Sequence, residues 1–169
     1  MINNLLCTIM NIIINRRYGD DTVTKSLVRV ESEEGKVLME CEAREPRFAD
    51  YSEAFPGCSK YCLAVGTFEC KVKATEQSAM QVIVPRSPGH RSTRIGWDPW
   101  KQQSMNMILL GMGDAEMLPE YHKIRLQQET FRRFERLVYR AFTAEERIRL
   151  TVVNDLPEVY DQYTFSLTL

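Results

Sequence analysis

One stretch of this sequence has the periodicity of a helix, and the runs around it alternate like strands. Phe131, Phe134, Val138 and Phe142 recur at i, i+3, i+7 and i+11, with Leu137 widening the apolar stripe. Arg132, Arg133, Arg136 and Arg140 fall on the other faces. The spacing predicts a helix over about 127–142, which must bury its stripe against something, and the remaining runs offer sheet. The expected fold class is therefore α+β. It is a mainly antiparallel β domain, a partly closed barrel or a sandwich, with one long helix in the C-terminal half.

The strand signals are short and frequent. Leu5 to Asn15 holds Thr8, Ile9, Ile12, Ile13 and Ile14, and Arg16-Arg17-Tyr18-Gly19-Asp20-Asp21 reads as turn chemistry after it. Lys25 to Glu31 and Val37 to Cys41 flank Glu33-Glu34-Gly35-Lys36, which predicts a hairpin. Between Arg44 and Lys60 the pattern breaks at Pro46, Pro56 and Gly57, as in a functional loop. Alternation resumes from Tyr61 to Val72, where Cys62, Ala64, Gly66, Phe68 and Cys70 share one parity. Val82-Ile83-Val84 stops at Pro85, Thr93 to Trp97 can pair briefly, and Met105 to Leu110 stops at Gly111. After the helix, Thr143-Ala144-Glu145-Glu146 reads as a capping box opening a separate turn. Arg147 to Val153 is a last core strand, and Tyr160 to Leu169 reads as an edge strand.

Composition limits the classes that remain. The 169 residues suit a single domain, 1–169, and 44% hydrophobic with 27% charged residues is ordinary globular usage. A formal net charge of -1 gives no global pull toward nucleic acid or anionic lipid. Five cysteines, an odd number, fit reduced structural thiols and a cytoplasmic setting better than a secreted disulfide framework. The apolar run Leu5 to Ile14 has no basic residue before it and is interrupted by Asn11, so it reads as a strand, not a signal peptide. At that length it cannot span a bilayer. No membrane partner is expected.

The order of landmarks resembles a bacterial and phage domain family of unknown function, common on mobile elements. Its signature runs T-x-G-x-L, T-L-E-D-P, A-I-P-x-G-x-Y, I-H-x-G-N and G-C-I-L-L-G, followed by a helix. Here Thr24-Lys25-Ser26-Leu27 takes the first place, and Cys41-Glu42-Ala43-Arg44-Glu45-Pro46-Arg47 resembles the second through Glu45. Leu63-Ala64-Val65-Gly66-Thr67-Phe68 resembles the third through Gly66. Arg94-Ile95-Gly96-Trp97-Asp98 and Asn106-Met107-Ile108-Leu109-Leu110-Gly111 stand in the last two places, within a span from about Thr22 to Asn154. The family's histidine and cysteine resemble the pair of L,D-transpeptidases, in which a thiolate attacks an acyl donor and an imidazole accepts its proton. This chain has Gly96 and Met107 there. The resemblance therefore implies a degenerate site, in which neither residue can serve as base or nucleophile.

Candidate binding residues lie nearby. Arg86, His90, Arg91 and Arg94 sit on a Ser/Pro/Gly loop that could hold a phosphate or carboxylate, although a solvated basic loop is the plainer reading. Trp97-Asp98-Pro99-Trp100 places Trp97 and Trp100 as a platform for a protein or carbohydrate, or as caps on an open barrel end. Cys58 and Cys62 with His90 and His122 lack the second close pair that zinc needs, so no metal or cofactor is expected. Glu40, Glu42 and Glu45 have no nameable partner acid. The expected function is a non-catalytic binding or accessory protein of a mobile element or prophage. The alternatives are a diverged cell-wall-processing cysteine acyltransferase, using Cys58 or Cys62 with His90, and a weak nucleic-acid-binding module.

Overall fold

A computed structural model of the chain describes residues 7–19, 23–46, 63, 65–74, 80–85, 92–97, 107–111 and 120–155. Its strands are β1 (Ile9–Gly19), β2 (Val23–Glu31), β3 (Val37–Pro46), β4 (Gly66–Lys73), β5 (Gln81–Val84), β6 (Thr93–Gly96), β7 (Met107–Leu110) and β8 (Arg147–Asn154), and its helix is α1 (Glu120–Thr143). The strands close into a barrel in the order β1-β2-β3-β7-β6-β5-β4-β8. Neighbours run antiparallel except β6 with β7 and β1 with β8. The expected mainly antiparallel β domain is present, as a fully closed barrel in place of a partly closed one or a sandwich.

Parity decides what enters the barrel. Met10, Ile12 and Ile14 alternate inward along β1, and the register sets them beside Ile148, Leu150 and Val152 of β8. On the other side Val30 and Val28 face Ile12 and Ile14, and Met39 and Cys41 continue those rungs on β3. Phe68 and Cys70 of β4, Val82 and Val84 of β5, Ile95 of β6 and Ile108 and Leu110 of β7 complete one contiguous core. Burying each aliphatic side chain is worth about 1.5–3 kcal/mol. The β2–β3 hairpin forms as expected. Gly35 N donates to Ser32 O at 2.9 Å, Ser32 N donates to Lys36 O at 2.9 Å, and Gly35 sits at φ 83°, a conformation that suits glycine.

The helix joins the same core along Phe131, Phe134, Val138 and Ala141, with Gln127 also buried. The Phe131 and Phe134 rings lie 6.3 Å apart, within aromatic pairing range. Where β7 ends, Gly111 lets the helix approach. A Cβ there would lie 3.1 Å from Gln127 Cα and 3.2 Å from Thr130 Cβ, and φ is +75°. Both conditions favour glycine.

Five expectations need correction. Arg16-Arg17-Tyr18-Gly19 is strand, because the register shift between Arg16 and Tyr18 absorbs Arg17 as a bulge and the pairing continues. β3 runs on through Arg44 and Glu45 to Pro46, since pairing with β2 carries it past the point where apolar alternation stops. The helix begins at Glu120, earlier than its apolar stripe shows. Phe142 is 51% exposed, because Ala141 takes the core-facing place in the last turn. Thr143-Ala144-Glu145-Glu146 ends the helix and opens no new turn. Glu146 N donates to Ala141 O at 2.9 Å, Glu145 N donates to Phe142 O at 3.1 Å, and Glu145 takes φ 56°. That is a Schellman motif with glutamate where glycine is usual. Thr143 Oγ1 donates back to the Tyr139 and Arg140 carbonyls, both at 3.0 Å. The Tyr160 to Leu169 strand lies outside the described residues.

Candidate functional site

Polar chemistry enters the barrel at the C-terminal end of β1. Arg16 follows Ile12 and Ile14 on the inward parity and has no exposed surface. Its Nε donates to Glu45 Oε2 at 3.0 Å and its Nη2 to Glu45 Oε1 at 2.9 Å. Nη2 also donates to the Leu63 carbonyl, and Ser26 Oγ donates to Glu45 Oε2 at 3.4 Å. A fork-to-fork pair of this kind is strong because two charge-assisted bonds share one geometry. Desolvating two charges offsets most of that gain, so the pair fixes arrangement more than it adds stability. Sequence reading placed Arg16 in a turn and left Glu45 without a partner. Continuing the inward parity by one step past Ile14 on β1, and by two past Cys41 on β3, would have found both.

The two positions that resemble a catalytic pair are in contact. Parallel pairing of β6 and β7 sets Arg94 opposite Met107 and Gly96 opposite Leu109. The Met107 side chain folds over Gly96, and a Cβ at position 96 would collide with Met107 Cε. A methyl group thus fills the space where a side chain at position 96 would begin. Neither residue can hold a labile proton in the neutral range.

The thiols are ill-suited to nucleophilic work where they are described. Burial pushes Cys41 from an ordinary 9.0 up to about 12, against weaker opposing effects of the Gly111 backbone and Arg133. Burial likewise pushes Cys70 up to about 12, with Glu69 adding to it. A thiol held that high is protonated at neutral pH and inert. Cys7, Cys41 and Cys70 are all free, and Cys7 is exposed. Cys58, Cys62, His90 and His122 offer no described side chains, so the relocated-thiol alternative lies outside the described residues. Among the described residues no three His, Cys, Asp or Glu side chains gather as a metal site would require.

Of the expected ligand-binding residues, Arg94 and Trp97 are described, while Arg86, His90, Arg91 and Trp100 lie outside. Arg94 is exposed on β6, between the buried Thr93 and Ile95. Trp97 packs against the core cluster, and its Nε1 is buried without a hydrogen-bond partner among the described residues. Successive strand positions point to opposite faces, so Arg94 and Trp97 do not share one.

A cleft that sequence reading did not single out lies on the outer side of α1. It is shallow and largely open to solvent, has a volume of about 610 Å³, and is lined by Met80, Arg132, Glu135, Arg136, Tyr139 and Arg140. Most described arginines elsewhere are committed to carboxylates. Arg29 meets Glu31 at 3.3 Å, Arg125 meets Glu129 at 3.1 Å, and Arg147 and Arg149 share Glu69 at 2.9 and 3.4 Å. Among the described residues no ion pair ties up Arg132, Arg136 or Arg140. The sequence contained the signal, arginines at i, i+4 and i+8, but a solvated helix face gives the same pattern.

The molecule is thus a closed, mixed eight-stranded barrel packed with a helix, with a charged pair inside it and a basic cleft outside. No family model matches the chain, and neither a curated protein nor a solved structure matches it. No described helix is long and apolar enough to cross a membrane.

Proposed function

We propose that this chain is a non-catalytic binding or accessory protein. The observation that carries the reading is the contact between Gly96 and Met107. Acyl transfer through a thiolate needs a nucleophile and a base within hydrogen-bond reach. The two touching positions that resemble such a pair supply a hydrogen and a thioether. Cys41 and Cys70, which do reach the barrel wall, are protonated by burial. With the barrel closed, β1 and β8 offer each other their edges, so adding a partner's strand to an open edge does not account for binding. Recognition then falls to outer surfaces. An origin on a prophage or integrated element rests on the order of motifs alone.

The test is to incubate the purified chain with a thiol-directed acyl probe and with peptidoglycan tetrapeptides, beside a Gly96→His, Met107→Cys variant. The unmodified chain is expected to give no turnover and no labelling beyond that of its denatured form. Turnover that disappears on Cys58→Ala or Cys62→Ala would establish the acyltransferase alternative instead.

A further inference from the structure

Basic charge gathers on the outer side of α1. The chain as a whole has a net charge of -1, yet within α1 basic residues outnumber acidic ones two to one. Arg132, Arg136 and Arg140 follow one another at four-residue intervals, about 6 Å apart along the axis. All three are exposed, and among the described residues no ion pair neutralises them. At about 100° per residue the row winds slowly round the helix, with Arg136 about 40° and Arg140 about 80° from Arg132. Tyr139 and Phe142 stand about 20° and 80° the other way, so two rings line one side of the row. Both are about half exposed. Glu135 is on the ring side as well and has an interaction of its own, so it leaves the row unbroken. Single-stranded nucleic acid carries the same division, with phosphates along one edge and flat base faces along the other. Guanidinium forks grip phosphate oxygens two at a time, and aromatic rings stack on any base. We propose that this face of α1 binds single-stranded nucleic acid, with the backbone along Arg132, Arg136 and Arg140 and bases stacked on Tyr139 and Phe142.

Charge alone does not choose this partner; the rings do. Anions without flat rings, such as polyglutamate or inorganic polyphosphate, satisfy the arginines and leave Tyr139 and Phe142 in water. A duplex offers phosphates but keeps its base faces stacked on one another. A second copy docked symmetrically would set arginine row against arginine row. The shallow, open cleft suits a polymer laid along the helix better than a small molecule enclosed by it. Thr143 Oγ1, at the end of the same face, is committed to the Tyr139 and Arg140 carbonyls. Phosphates and base faces are then the groups recognised, and both are common to DNA and RNA.

The inference rests on the binding-protein reading and can fail separately from it. The probe is a twelve-nucleotide oligothymidylate with a terminal fluorophore, titrated with the intact chain by anisotropy at several salt concentrations. Saturable binding is expected, with log K falling against log salt at a slope of about -2, as three phosphate contacts on a single strand require. The variant Arg132→Gln, Arg136→Gln should flatten that slope to about -0.7. Tyr139→Ala should bind about tenfold more weakly at an unchanged slope, because it removes stacking and no charge. Arg17→Gln, Arg29→Gln removes two charges from the barrel wall and should keep the parent's slope, with affinity within about twofold. An oligouridylate of the same length should bind within about fivefold of the DNA. Thermal melts show that each variant is folded. Absence of binding by the parent, full competition by polyglutamate of equal charge, tighter binding of a duplex, or parent-like binding by Tyr139→Ala would each overturn the proposal. If the oligonucleotide fails while the turnover assay stays null, this inference alone is lost. Turnover in that assay removes the binding-protein reading itself.

Discussion

Glu45 shows how much one residue's neighbours decide. It stands on β3 among the charged residues Glu42, Arg44 and Arg47, yet it is 2% exposed and held by Arg16. Removing one member of a buried pair leaves the other charge without compensation, so Glu45→Ala should cost about 3–5 kcal/mol in a denaturant titration. Arg16→Met with Glu45→Leu should cost distinctly less, because both desolvated charges leave together. Equal losses would mean that the pair is not the determinant. The thiols give a second residue-scale expectation. Cys41 and Cys70 are raised from 9.0 to about 12, so the stability they contribute is complete below pH 9 and declines as pH rises toward 12. In a Cys58→Ser, Cys62→Ser background, a disulfide reagent at pH 8 should modify Cys7 quickly, and the partly buried Cys41 and Cys70 far more slowly until the chain is denatured. Rapid reaction of all three would contradict their burial. Parity foretold the inward place of Cys70, whereas Arg16 was hidden because a charged residue at the end of an apolar run looks like a turn.

The helix was legible as an element, and its ends were not. Phe134 and Val138 are fully buried as their spacing requires. Phe134→Ala should cost about 3–5 kcal/mol, while Arg133→Ala on the exposed face should change stability by less than about 0.5 kcal/mol. Similar losses would mean that the buried face is misassigned. In the N-terminal turns Tyr121 and Ile124 keep the spacing of the stripe, but Gln127 and Gln128 interrupt it before Phe131. At the C-terminus Thr143 and Glu146 stand at capping-box spacing, but the backbone bonds run back to Ala141 and Phe142. Glutamate in the left-handed region is strained, by about 1–2 kcal/mol for an L side chain. Glu145→Gly should therefore raise stability by about 0.5–1 kcal/mol, read as a higher Tm. A lower Tm would show that the Glu145 side chain holds the turn in some other way. At the other helix contact Gly111→Ala should be destabilising, since it meets both strain and backbone.

At the scale of the whole molecule, strand existence was largely readable, and inward parity was readable in Ile148, Leu150 and Val152 but not in β1, where Ile12, Ile13 and Ile14 stand in succession. Closure was not readable. Nothing local in β1 or β8 states that they pair in parallel, since that contact joins residues such as Ile12 and Leu150 across most of the chain. The same limit applies to the outer cleft, where Met80 meets α1 only because the barrel brings them together. The touching of Gly96 and Met107 also depends on the parallel β6–β7 join. Closure is what leaves recognition to outer surfaces, so it is the central claim. Amide hydrogen exchange of β1 tests it most directly, because successive amides of a strand point to opposite edges. With β2 on one edge and β8 on the other, consecutive amides from Asn11 to Asn15 should all exchange slowly, near the rate set by global unfolding. A pattern in which every second amide of that run exchanges quickly would mean an open edge, and would contradict the closed barrel.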